Sequence, residues 1–97
     1  MTEDEVDEVL RRAVVALRGM AYEHRLHVLL LLRDGERSPA ELAERIPAGA
    51  TAVAHHLRYL MDARLIRRRR TGRQIRYSLS GEATRRLVDE VLRHAQP

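Results

Sequence analysis

Two patterns overlap in eleven residues: a cluster of six arginines and the start of an alternation of apolar and polar residues. The stretch is Arg67-Arg68-Arg69-Arg70-Thr71-Gly72-Arg73-Gln74-Ile75-Arg76-Tyr77 (RRRRTGRQIRY). Gly72 interrupts the arginines, and Ile75, Tyr77 and Leu79 then alternate with polar residues, which predicts a β-hairpin with one apolar face. A disordered basic tail would not carry such a face. Two interpretations stay open for this basic hairpin, about residues 65–79: its arginines are merely solvated, or they contact the phosphates of a nucleic acid.

A helix-turn-helix candidate, about residues 38–63, comes directly before the basic hairpin. Ser38-Pro39-Ala40-Glu41 forms a capping box with proline at the first helical position, and it opens a short helix. Pro47-Ala48-Gly49 ends that helix, and a longer one is predicted from about Ala50 to Ala63. Such a corner is common in small helical proteins, so by itself it does not establish nucleic-acid binding.

Three further helices complete the predicted order. The first runs from about residue 5 to Arg18, where Gly19 ends it, and the second runs from about Tyr22 to Arg33 and is apolar on every side. Ser80 is expected to cap a last helix that reaches about Ala95, with a stripe of Ala83, Leu87, Val91 and Leu92. The fold class is therefore mainly α with a small β-hairpin, in a single domain over residues 1–97.

Composition narrows the function classes. The 97 residues contain no Phe or Trp, so the core must be aliphatic and thin, which favours association with a second copy. The first eight residues carry a net charge of −5, and residues 64–76 carry +7, so the basicity is a patch. The absence of Cys excludes disulfides and thiolate sites. No Gly-rich phosphate loop or paired acid and base indicates an enzyme, and no secretory or membrane-spanning segment is visible, so we expect a cytoplasmic protein.

Residues from about Ala16 to Leu79 resemble the ArsR/SmtB family of winged helix-turn-helix repressors. The stretches that carry the resemblance are His24–Leu29 (HRLHVL), Ser38–Ala43 (SPAELA), Thr51–Leu60 (TAVAHHLRYL), Ala63–Ile66 (ARLI) and Gly72–Leu79 (GRQIRYSL). The resemblance implies a homodimer on a palindromic operator in double-stranded DNA, usually repressing and often released by a metal ion. It also implies dimerisation through the first and last helices, which gives this interface: Val6, Val9, Leu10, Ala13, Leu17, Leu87, Val91 and Leu92.

The DNA-binding residues are predicted on the helix from Ala50 to Ala63 and on the basic hairpin. Thr51, His55 and Arg58 would reach bases or nearby phosphates, and Ala52 and Ala54 stand where the family usually carries Ser or Thr. The hairpin would hold the DNA backbone through Arg67, Arg68, Arg69, Arg70, Arg73, Gln74 and Arg76. The alternative is a winged-helix module that docks on an acidic protein and never binds DNA.

Candidate metal ligands are limited to histidines and acids. His24 and His27 are three residues apart on one helix, and Glu90 and His94 are four apart on the last helix. Doubled across a two-fold axis, such a pair would offer nitrogen and oxygen ligands suited to nickel, zinc or cobalt. The acid and histidine that the family places at the start of the last helix are not both present here, since residues 80–83 include no His.

Overall fold

A computed structural model describes all 97 residues and confirms the predicted order of elements. The helices are α1 (Glu3–Met20), α2 (Glu23–Arg33), α3 (Pro39–Arg45), α4 (Ala50–Asp62) and α5 (Glu82–Ala95), and the strands are β1 (Ile66–Thr71) and β2 (Gln74–Leu79). The first helix continues through Gly19, the residue predicted to end it, to Met20. None of the helices combines the length and the apolarity needed to cross a membrane.

Of the two helix caps predicted from the sequence, the structure contains the one at Ser38 but not the one at Ser80. The Ser38 hydroxyl accepts from the Glu41 backbone N–H at 3.1 Å, and the Glu41 carboxylate accepts from the Ser38 N–H at 3.1 Å, so the predicted capping box is formed. The predicted cap at Ser80 is wrong, because α5 starts after Gly81 without a side-chain cap. Ser80 still belongs to the hairpin, where its N–H donates to the Leu65 carbonyl (3.0 Å), and its hydroxyl bonds that of Thr84 (2.7 Å).

The core is one aliphatic cluster, and Tyr77 is its single aromatic member. The second helix, which the sequence showed to be apolar on every side, is central to the core, because four of its residues are buried: Val28, Leu29, Leu31 and Leu32. Helix α5 enters the core through Val88, which is fully buried, whereas Leu87 of the predicted stripe is 37 % exposed and Ala83 is also exposed. Val91 and Leu92 are half-buried against the cluster. Leu87 of the predicted stripe therefore faces outwards, whereas Val88, which the stripe did not include, faces the core.

The basic hairpin is a two-stranded antiparallel sheet whose register decides where each arginine points. Ile66 pairs with Leu79, Arg68 with Tyr77, and Arg70 with Ile75, so these six side chains share one face. The opposite face carries Arg67 with Ser78 and Arg69 with Arg76. Gly72 lies in the turn with φ +62°, a left-handed conformation that costs glycine nothing. On its other edge β2 is joined by Arg37, whose backbone exchanges two hydrogen bonds with Tyr77 (2.8 and 3.1 Å).

Candidate nucleic-acid interface

Helix α4 presents one face to the core and the other to solvent. Val53, Leu57 and Leu60 are buried, and the solvent face is formed by Thr51, Ala54, His55 and Arg58, all exposed. The helical repeat of 3.6 residues places these four side chains on one side of α4. Ala52 is half-buried beside Val53, so it lies at the margin of this face.

An open cleft joins the solvent face of α4 to the basic hairpin. Thr51, Ala54, His55, Arg58 and Met61 of α4 line it together with Arg68 and Tyr77 of the hairpin. Tyr77 packs into the core and is only 7 % exposed. Because Arg68 pairs with Tyr77 across the hairpin, this packing holds Arg68 beside α4. The solvent face of α4 and Arg68 of the basic hairpin, which were predicted separately from the sequence, thus meet in one concave surface.

Four arginines of the hairpin have no ion pair within the chain: Arg67, Arg68, Arg70 and Arg73. All four are exposed. Arg68 and Arg70 lie on the face directed towards α4, and Arg73 lies in the turn at the tip with Gln74, also exposed, following it. Unpaired guanidiniums on a protruding hairpin are suited to phosphate oxygens.

The other two hairpin arginines are held by the protein's own acids. The Arg69 Nε donates to Glu36 Oε2 (3.1 Å) and its Nη2 to Glu36 Oε1 (2.6 Å), a bidentate pair. The Arg76 Nη2 donates to the Glu36 carbonyl (3.2 Å) and lies 3.5 Å from Glu41 Oε1. The hydrogen bond from Arg69 lowers the pKa of Glu36 and, in return, Glu36 raises the pKa of Arg69. Sequence reasoning treated all six arginines alike because Glu36 lies 33 residues from Arg69 along the chain.

The two histidines of α4 face opposite sides, one outward and one inward. His55 is exposed in the cleft, whereas His56 packs against Tyr22 and His24 with ring centroids 5.2 and 5.9 Å away. Burial lowers the pKa of His56, and the positive charge of Arg25 and the neighbouring histidines lower it further. Arg25 in turn lies 4.1 Å from the ring centroid of Tyr59. This cluster had no signal in the sequence beyond the separate aromatic and histidine residues.

The candidate metal ligands do not form a site within one chain. No three His, Asp or Glu side chains converge on a common point. His24 packs edge-on against Tyr22, its Nδ1 buried without a hydrogen-bond partner, and His27 is half-buried one turn away. Glu90 forms an ion pair with Arg93 (3.6 Å), and His94 is exposed near the end of α5.

An exposed apolar stripe runs along α1. Leu10 and Leu17 are more than half exposed, at 57 and 54 %, and Val6 and Val9 are 37 and 48 % exposed. With Ala13 they follow the helical repeat, and Leu87 of α5 is exposed as well. These residues include most of the predicted dimer interface. Exposure of such an apolar stripe to water is energetically unfavourable and is typical of a surface that contacts another protein.

Comparisons with known proteins agree with this geometry. Residues 16–93 match the family model described as the N-terminal domain of the methanogenesis regulatory protein FilR1. The chain is 39 % identical to the HTH-type transcriptional regulator KmtR of Mycobacterium tuberculosis, covering 93 % of the chain and 69 % of the relative. It is 32 % identical to the transcriptional activator HlyU of Vibrio cholerae, with 92 and 82 % covered.

A solved structure extends the agreement to three dimensions. It is the solution structure of the homodimeric winged helix-turn-helix DNA-binding domain of Mb0332 from Mycobacterium bovis, a possible ArsR-family transcriptional regulator. The two chains superpose with a TM-score of 0.89 at 28 % identity, and the match covers 97 % of this chain and 87 % of the other.

Proposed function

Because the chain belongs to the ArsR/SmtB family of winged helix-turn-helix transcription regulators, we propose that it binds duplex DNA as a homodimer through α4 and the basic hairpin. The observation that carries this proposal is the cleft in which the solvent face of α4 adjoins Arg68, a hairpin arginine that has no ion pair within the chain. An α-helix fits the major groove of B-DNA, and a hairpin beside it reaches the flanking backbone. The absence of exposed aromatic residues from the hairpin favours duplex over single-stranded DNA.

The two halves of the cleft would have different tasks. On α4, Arg58 can bind a guanine edge in bidentate fashion, Thr51 and His55 can bond other base edges, and the Ala54 methyl can contact a thymine methyl. On the hairpin, Arg67, Arg68, Arg70 and Arg73 would bind phosphates, which position the protein without reading sequence. Arg69 and Arg76, which the protein's own acids hold, would contribute less to this set than the sequence suggested.

The homodimer would form through the apolar stripe of α1 together with Leu87. A two-fold axis would then present two α4 helices to two half-sites, centred one helical turn of DNA or a multiple of it apart, and the operator would be palindromic. The homodimeric state of the Mb0332 domain supports this arrangement.

A comparison of His55→Ala with Arg73→Gln on a panel of duplexes tests the proposed division of tasks. We expect Arg73→Gln to weaken binding about equally on every sequence, because a phosphate contact carries no sequence information. We expect His55→Ala to change the order of preference among sequences. Equal effects of the two substitutions across the panel would show that the division is wrong.

The response to metal ions depends on ligands from both protomers, since none of the candidate sets converges within one chain. Glu90 and His94, one turn apart on α5, are the pair that a two-fold axis at the α1 and α5 surface would double. Titration of the dimer with nickel, zinc and cobalt, with operator affinity as the readout, tests this set. If the metal that alters the operator affinity of the wild type alters that of Glu90→Gln and His94→Gln by the same factor, neither residue is a ligand.

We also propose that the protein represses transcription from the promoters that it binds. HlyU carries the name of an activator, so the family name alone does not decide the direction. A reporter placed behind the selected operator should fall in output when the protein is expressed, since a dimer on a promoter blocks polymerase. The alternative function, docking on an acidic protein, has no support among the relatives, which are transcription regulators and not enzymes.

A further inference from the structure

The ion pair between Arg69 of the basic hairpin and Glu36, which lies outside the hairpin, is a feature that DNA binding alone does not explain. The Arg69 guanidinium is bidentate on the Glu36 carboxylate, yet its side chain stays 60 % exposed, so it lies at the surface where a phosphate could also bind. A carboxylate and a phosphate present two oxygens to a guanidinium in similar geometry. Glu36 therefore occupies the position that a DNA phosphate would take on Arg69.

The backbone holds Glu36 in register with the hairpin. Its neighbour Arg37 exchanges two backbone hydrogen bonds with Tyr77, and its own carbonyl accepts from Arg76 at 3.2 Å. Tyr77 is buried in the core, so Glu36 cannot move away from β2 without breaking these contacts. The Glu36 side chain is 33 % exposed, so the pair lies at the surface, and the hydrogen bonds of the neighbouring backbone hold it in place.

We propose that Glu36 is a specificity-determining residue that acts through Arg69: it keeps one arginine of each protomer out of the set that binds phosphates, and so limits affinity for non-cognate DNA. Phosphate contacts supply the sequence-independent part of protein–DNA affinity. A protein with every hairpin arginine free would bind all DNA more tightly and would distinguish its operator less well. The proposal rests on the proposed DNA-binding function.

The experiment measures the slope of log affinity against log salt for a labelled duplex of mixed sequence, long enough for two half-sites. Each phosphate contact contributes about −0.9 to this slope. We expect Glu36→Gln to release Arg69 and to steepen the slope by about 0.9 per protomer, or about 1.8 per dimer. Arg69→Gln alone should leave the slope of the wild type unchanged, and the double substitution should return the slope of Glu36→Gln to the wild-type value.

Glu44→Gln is the matched control, since Glu44 is an exposed acid of α3 with none of the chain's ion pairs, and its loss changes the net charge equally. Its slope should stay near that of the wild type. Glu36→Asp, which keeps the charge, should behave more like the wild type than Glu36→Gln does.

Three outcomes would overturn the proposal: an unchanged slope in Glu36→Gln, an equal steepening in Glu44→Gln, or a shallower slope in Arg69→Gln. Failure of the DNA-binding function itself would show differently, as a wild-type protein that does not bind the duplex even in dilute buffer. Thermal unfolding of each variant shows that a changed slope does not come from a loss of fold.

Discussion

Truncation of Leu10 to alanine should weaken the homodimer without disturbing the fold of each protomer. Leu10 is 57 % exposed in the single chain, so in the proposed homodimer the partner would bury the rest of this side chain. Full burial of a leucine side chain contributes about 1.5–3 kcal/mol, and roughly half of that remains available here, or about 1 kcal/mol per copy. Two-fold symmetry doubles the loss to about 2 kcal/mol, which raises the dissociation constant of the dimer about thirty-fold.

Sedimentation equilibrium measures that constant directly, and Val15→Ala provides the matched control. Val15 lies on the same helix and is 43 % exposed, but it lines a groove with Asp62 and Arg64 on another side of α1. We expect Val15→Ala to dimerise like the wild type. A wild-type dissociation constant in Leu10→Ala, or an equal weakening of the dimer by the two substitutions, would show that Leu10 does not lie in the interface.

Three further predictions concern stability. Gly19→Ala places a methyl carbon 2.8 Å from a Leu65 methyl. Overpacking of about 1–3 kcal/mol should cancel or outweigh the gain of about 1 kcal/mol in helix propensity, so calorimetry should show no rise in the melting temperature, and a rise of several degrees would contradict the close contact. Ser38→Ala removes the formed capping box and should cost about 1 kcal/mol in urea unfolding, with full retention of stability as the contrary result. Because burial lowers the pKa of His56 below its ordinary 6.5, the unfolded state binds the proton first, so the free energy of unfolding should fall as pH drops through 6.5 and onward through the lower folded pKa. Urea titrations over this range should show a smaller pH dependence in His56→Gln than in the control His55→Gln; the same dependence in both would remove His56 as its source.

Local signals in the sequence predicted most of the fold. The capping box at Ser38 involves residues three apart, and the period of two in Ile75, Tyr77 and Leu79 is visible within five residues, so both could be read directly. The solvent face of α4 followed from helical spacing. The capping box and the alternation along β2 depend on residues that are close in the sequence, so both are visible without the tertiary structure.

Features that depend on distant residues were not predictable in the same way. The alternation of side chains along β1 divides Arg67 and Arg69 from Arg68 and Arg70, and only the tertiary structure brings Glu36 to one of these faces. Ser80 has the residue type of a cap, but the hairpin uses its backbone instead. The assignment of six arginines to one DNA-binding set therefore remained coarser than the structure allows.

The salt dependence of duplex binding tests the central claim most directly, with the wild type compared to a variant in which Arg67, Arg68, Arg70 and Arg73 are all glutamine. Four phosphate contacts per protomer at about 0.9 each predict a wild-type slope that is steeper by up to about 7 per dimer. Equal slopes for the two proteins, or no binding of any duplex by the wild type at low salt, would contradict the account.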